Sequence, residues 1–145
     1  MIQAYLQLST TNVSDALDYI GSGGAPLGIV PLWSGCQKIV GRAVTMKLIP
    51  VGEADASPVL GTLEAIGTGN EGDILVIDHG GTPDVNSFGG IAGFTAARRG
   101  FSGVVIDGVS RDVDEMKAMG LPVYGKGVIQ SSIRNRCAYA GHGIE

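Results

Sequence analysis

The chain has 145 residues, 44% of them hydrophobic and 17% charged, with 24 glycines. That composition suits one compact α/β domain with many tight turns and argues against a disordered or fibrous chain. The formal net charge is −4 and Lys and Arg are scattered, so there is no electrostatic footprint for nucleic acid or an anionic membrane surface. No apolar run approaches the ~20 residues of a membrane span, and the N-terminus lacks a signal-peptide pattern. Cys36 and Cys137 form neither a CxxC motif nor a disulfide framework, so reduced thiols in a cytoplasmic protein are the simplest reading.

In chain order, Thr11 or Asn12 can cap a helix carrying Val13, Ala16, Leu17 and Ile20 at helical spacing, stopped by the Gly21–Gly24 cluster. That cluster follows a helix and completes no GK[ST] or GxGxxG pattern, so it is not read as a phosphate loop. Val44, Met46 and Leu48 alternate with Thr45 and Lys47, the period-two signature of a half-buried strand. Ser57 and Pro58 then open a helix whose expected inner face is Val59, Leu63 and Ile66.

Gly72-Asp73 introduces Ile74-Leu75-Val76-Ile77, a continuous apolar run ending at Asp78, and Val104-Val105-Ile106 ends at Asp107-Gly108 in the same way. Such runs read as parallel strands covered on both faces by helices. Between them lie a long polar loop, His79 to Phe88, and a helix from Gly89-Gly90 to the cations Arg98 and Arg99. The stretch is therefore a strand-helix-strand unit of about 30 residues, whose two strands end on one edge of a sheet.

The carboxyl edge of an open α/β sheet is where ligands bind. It would bring together the loop after Asp78, the helix start at Gly89 to Ala92 and the Arg111-Asp112 pair that opens the next helix. First-turn N–H groups at Gly89, Gly90, Ile91 and Ala92 could receive a carboxylate opposite Arg111. Leu121 to Tyr124 reads as a short extended segment, and the remaining tail as polar and glycine-rich. His79 and His142 make no metal motif and read as ordinary loop histidines.

Four segments carry a resemblance: Ser9 to Leu17, Val40 to Thr45, Gly72 to Asp78, and above all Gly103 to Asp112, which ends in Asp-Gly-x-x-Arg-Asp. The chain resembles the regulator of ribonuclease activity A-like (RraA-like) proteins, which include 4-hydroxy-4-methyl-2-oxoglutarate aldolases and once carried a demethylmenaquinone methyltransferase label. The resemblance implies one RraA-like domain over residues 1–145, with a swivelling β/β/α three-layer fold around a parallel strand-helix-strand core. It also implies a homotrimer or a hexamer made of two trimers, and a divalent cation, usually Mg²⁺. Arg111 would be the catalytic and substrate-binding residue, Asp112 the metal anchor, and Gly89, Gly90, Ile91 and Ala92 backbone contacts to a small 2-oxo acid.

The implied reaction is aldol cleavage of a 4-hydroxy-2-oxo acid or decarboxylation of oxaloacetate through a pyruvate enolate, with no lysine Schiff base. Two departures stand out. Aldolase members commonly carry an acid at the position of Gly90, a role that Asp84 or a neighbouring subunit's acid would then have to take. Members also continue beyond the position of Glu145 with a strand pair, a Pro-Gly-Asp turn and often a helix. A non-catalytic, protein-binding regulator of ribonuclease activity or a pseudoenzyme is the competing expectation. No glycine-rich loop with a strand-end acid supports methyl transfer.

Overall fold

The computed structural model describes residues 2–52 and 56–144. In chain order the elements are α1 (Ile2–Leu6), α2 (Thr10–Tyr19), β1 (Val30–Pro31), β2 (Ala43–Pro50), α3 (Pro58–Thr68), β3 (Ile74–Asp78) and β4 (Asn86–Phe88). There follow α4 (Gly90–Arg98), β5 (Gly103–Asp107), β6 (Val109–Ser110), α5 (Val113–Ala118), β7 (Val123–Gly125), β8 (Gly127–Val128) and β9 (Cys137–His142).

The apolar runs become the centre of a six-stranded sheet in the order β1-β7-β5-β3-β2-β9. Its four inner strands are parallel, while β1 and β9 close the edges antiparallel. Leu75, Ile77, Val104 and Ile106 are fully buried on one face, where they meet Ala65 and Ile66 of α3, Ala96 of α4 and Met116 of α5. The expectation of cover on both faces holds only in part, because Val76 and Val105, which point the other way, are half-buried.

A second, three-stranded parallel sheet runs β4-β6-β8. Each of its strands continues a strand of the first sheet: β3 leads to β4, β5 to β6 and β7 to β8. Two sheets and a helical layer therefore make the mixed α/β fold, in the swivelling β/β/α arrangement. Gly108 forms the corner between β5 and β6, where a Cβ would lie 2.6 Å from Ser87 Oγ and 3.3 Å from His79 Cβ.

Local details differ from expectation in instructive ways. Ser9, not Thr11 or Asn12, caps α2, because Ser9 and Asn12 exchange side-chain and backbone hydrogen bonds in a capping box. Ser57 caps α3 with Pro58 in its first turn, as expected, but the buried face is Gly61, Thr62, Ala65 and Ile66. The reason is Tyr139 of β9, whose ring packs where a Gly61 side chain would be, so the helix turns its small residues inward. The tail holds β8 and β9, and no helix of the described residues is long and apolar enough to cross a membrane.

Candidate active site

Strand register builds the site. Asp78 pairs with Asp107 at the ends of β3 and β5, and beyond the corner Phe88 pairs with Ser110 in β4 and β6. Gly89 and Arg111, the next residues of each strand, therefore leave the second sheet side by side. The Arg111 N–H and the Ser110 hydroxyl both donate to the Phe88 carbonyl, at 3.0 and 2.8 Å. Gly89 must lack a side chain, since a Cβ would lie 2.9 Å from Asp112 Oδ2 and 3.2 Å from Arg111 Nε.

Asp112 adopts the left-handed conformation, φ 54° and ψ 32°, which costs energy in a residue with a Cβ. The turn returns its carboxylate to α4, where Oδ2 accepts the Gly90 N–H at 2.8 Å. The carboxylate that docks at this helix start is thus the protein's own. Gly93 N–H goes to the Gly89 carbonyl, whereas Ile91 and Ala92 N–H have no hydrogen-bond partner among the described residues. Ile91 is 56% exposed; Ala92 is partly buried against the core.

The Arg111 side chain is the unsatisfied member of the site. Its Nε lies 3.2 Å from Asp112 Oδ2, close enough to count as an ion pair, yet the atom is buried with no hydrogen-bond acceptor among the described residues. Proximity without alignment gives charge attraction but not a hydrogen bond. A second buried atom, Oδ1 of Asn86, also lacks a partner, and Asn86 is only 2% exposed. Both residues line a cavity of about 180 Å³ with Gly89, Gly90, Asp112 and Glu115. Both atoms are closed off from solvent, so this arrangement leaves a donor and an acceptor unsatisfied beside the cavity wall.

The RraA-like (Aldolase/RraA) family matches residues 10–141. The chain belongs to this family. Protein DlpA of Legionella pneumophila is 31% identical over 94% of this chain and 22% of its own length. Proteins of Albidiferax ferrireducens and Burkholderia mallei, each named "Putative 4-hydroxy-4-methyl-2-oxoglutarate aldolase", are 38% and 32% identical over 63% and 77% of the chain. The chain spans only 53% and 65% of those two relatives. An uncharacterized protein from Pseudomonas syringae superimposes over 99% of this chain and 65% of its own, with a TM-score of 0.84 and 29% identity. RraAS2 of Streptomyces coelicolor, described as an unusual member of the RNase ES inhibitor RraA family, does so over 99% of this chain and 71% of its own. Its TM-score of 0.85 at 21% identity speaks for the shared fold alone.

In this RraA-like chain several cavity residues had no sequence signal. Asn86 and Ser87 lay within the long polar loop, Ser132 and Arg134 within the polar, glycine-rich tail, and Glu115 was not singled out. Asp84, the expected substitute acid, is exposed and lines a separate depression with Lys47, Asp78 and His79, so it does not serve this cavity. His79 is not an ordinary loop histidine: it is buried, with Nδ1 2.8 Å from Ser87 Oγ, and burial lowers its pKa. His142 lies in β9, hydrogen-bonded through Nδ1 to the Tyr139 hydroxyl.

The donor set suits a hard divalent cation rather than zinc. Among the described residues no three His, Cys, Asp or Glu cluster as metal ligands, but Mg²⁺ keeps most of its waters and uses one or two carboxylates. Asp112, at the cavity wall, fits that need. The thiols are outside the chemistry: both cysteines are free, and burial pushes Cys137 up to about 11, where it stays protonated.

Proposed function

We propose that this chain is a divalent-cation-assisted lyase of small 2-oxo acids, cleaving 4-hydroxy-4-methyl-2-oxoglutarate, oxaloacetate or both. The observation that carries the proposal is a cavity walled by Arg111 and Asp112 beside two N–H groups at the start of α4 that have no hydrogen-bond partner among the described residues. A guanidinium binds a carboxylate or a developing enolate oxygen, and preformed N–H donors hold the same negative charge without reorganisation. The aldolase names of the relatives support the reaction class.

Asp112 would hold the cation, Mg²⁺ by its demand for oxygen ligands, and Gly90 N–H fixes the orientation of that carboxylate. A bound cation would supply Lewis-acid polarisation of the substrate's 2-oxo group. Arg111 orients the acid's carboxylate and the Ile91 and Ala92 N–H groups steady its other oxygens. The same reading takes the active form as a cytoplasmic homotrimer or hexamer. Ile91 and Phe94, 56% and 59% exposed on α4, are apolar surface that another copy could cover.

The test is pyruvate release from each substrate with Mg²⁺ or excess chelator, with free-metal background subtracted. Chelator-sensitive release is expected, and Arg111→Ala should lower kcat/KM by ~100-fold or more. No release above background from folded protein would replace the lyase with a non-catalytic regulator.

A further inference from the structure

Building on the lyase reading, we infer that His79 is a positioning residue whose ring has two places: neutral, it holds Ser87 in the cavity wall, and protonated, it swings outward and releases that wall. His79 and Ser87 are 6% and 1% exposed, with His79 Nδ1 2.8 Å from Ser87 Oγ. Ser87 lines the cavity that holds Arg111, whereas His79 lines the separate depression beside Lys47, Asp78 and Asp84. The pair is thus a direct contact between two openings, and it is the one side-chain hydrogen bond of Ser87 among the described residues.

The backbone of His79 is fixed, so only its ring can move. Its N–H donates to the Asp107 carbonyl at 3.2 Å, and its carbonyl accepts from Thr82 N–H and Thr82 Oγ1 at 3.2 and 2.7 Å. On the other side of the bond, Gly108 leaves open the space in which the Ser87 hydroxyl sits. The next carbonyl along β4, that of Phe88, accepts the Arg111 N–H and the Ser110 hydroxyl. A shift at Ser87 therefore reaches Arg111 through one residue.

Charging the ring where it lies puts a cation among buried groups, and burial accordingly holds the His79 pKa below 6.5. An imidazolium also has only donors, so a Ser87 hydroxyl that donated to Nδ1 loses its acceptor. The groups facing the ring favour the outward place for the charged form. Asp78 of β3 and Asp107 of β5 are paired with Lys47 of β2 at 2.9 Å and with Lys126, between β7 and β8, at 2.5 Å. Asp84, in the loop before β4, has no ion pair among the described residues, and Arg136, just before β9, is the remaining charge that lines the depression. Asp84 is therefore the anion to which a protonated His79 turns. The buried Ser87 hydroxyl is then left without its partner, and β4, with Phe88 and the anchor of Arg111, is held less firmly.

The experiment measures kcat/KM for pyruvate release at saturating Mg²⁺ from about pH 5 to 8 in the unaltered protein, His79→Asn, His79→Ala and Ser87→Ala. Folding is followed by circular dichroism, and the imidazole ¹⁵N shifts of His79 and His142 by NMR, assigned with His142→Gln. The unaltered protein should lose activity about tenfold per pH unit below a midpoint under 6.5 that coincides with the His79 titration. His79→Asn, whose amide reaches Ser87 but takes no proton, should keep kcat/KM at pH 7.5 within about threefold and lose the acid limb. His79→Ala and Ser87→Ala should lower kcat/KM about tenfold at pH 7.5 and flatten the profile. A profile flat through the His79 titration, or an acid limb that survives in His79→Asn, overturns the inference; if the alanine variants fail to fold, His79→Asn alone decides. If the unaltered protein releases no pyruvate at any pH, the lyase reading itself fails and takes this inference with it.

Discussion

Gly89 and Gly90 are adjacent glycines whose side chains are missing for different physical reasons. At Gly89 a methyl group would press on Arg111 and on Asp112, which is itself held by the Gly90 N–H. Gly89→Ala should therefore reduce kcat/KM by ~10-fold or more through displacement of the pair, measured against an unchanged circular dichroism spectrum. At Gly90 the obstructing atom is the far end of the flexible Glu115 side chain, which can move away. Gly90→Ala should accordingly leave the melting temperature within about two degrees, as surface substitutions do.

His79 supplies the pH prediction at the same scale. Burial holds its pKa below the ordinary value of 6.5, against the opposing pull of Asp78, Asp84 and Asp107. The unfolded chain then binds the proton more readily than the folded one. The stabilisation is complete above about 6.5 and is lost as pH falls through that value toward the folded pKa. Melting temperature should thus drop between pH 7.5 and 5.5, and His79→Asn should flatten that dependence. The pressure on the glycine pair does not show in local sequence: the two letters are visible, but Arg111, Asp112 and Glu115, which crowd them, lie 20 to 30 positions away.

Among elements, α3 offers a paired test of packing against propensity. Gly61 faces the Tyr139 ring of β9, so Gly61→Ala should destabilise by about 1–3 kcal/mol through overpacking. Gly67, near the end of the same helix, has no neighbour within 4 Å, so Gly67→Ala should stabilise by up to about 1 kcal/mol. Urea denaturation of both variants gives the two signs. The helix and its Ser57-Pro58 start were readable from capping chemistry, and its buried face in part: Ile66 is buried and Val59 packs against the core, but Gly61, Thr62 and Ala65 were not foreseen. Leu63 is only half-buried, and the small residues Gly61 and Ala65 join Ile66 inside because Tyr139 of β9 approaches that side.

For the whole molecule, the arrangement depends on the tail. β9 pairs with β2 from Met46↔His142 to Pro50↔Cys137 and packs on α3, so it covers both a strand edge and part of the core. Deleting residues 137–145 should expose the β2 edge and give aggregation in size-exclusion chromatography. The two sheets also explain why one cavity gathers groups so distant in the chain. β3, β5 and β7 are followed in the chain by β4, β6 and β8, and the second sheet keeps the order of the first.

The residues alone determined the elements whose signals are local. Apolar runs specified β3 and β5, the Asp-Gly stop marked the strand edge, and Ser57-Pro58 specified a helix start. The resemblance carried by Gly103 to Asp112 pointed to the family. Only the tertiary structure decided the second sheet, because strands of two or three residues are too short to show a period. It alone decided the left-handed turn at Asp112, the orphaned Arg111 Nε and the delivery of Glu115 over Gly90, since each arises where packing and strand register bring separate segments within contact distance.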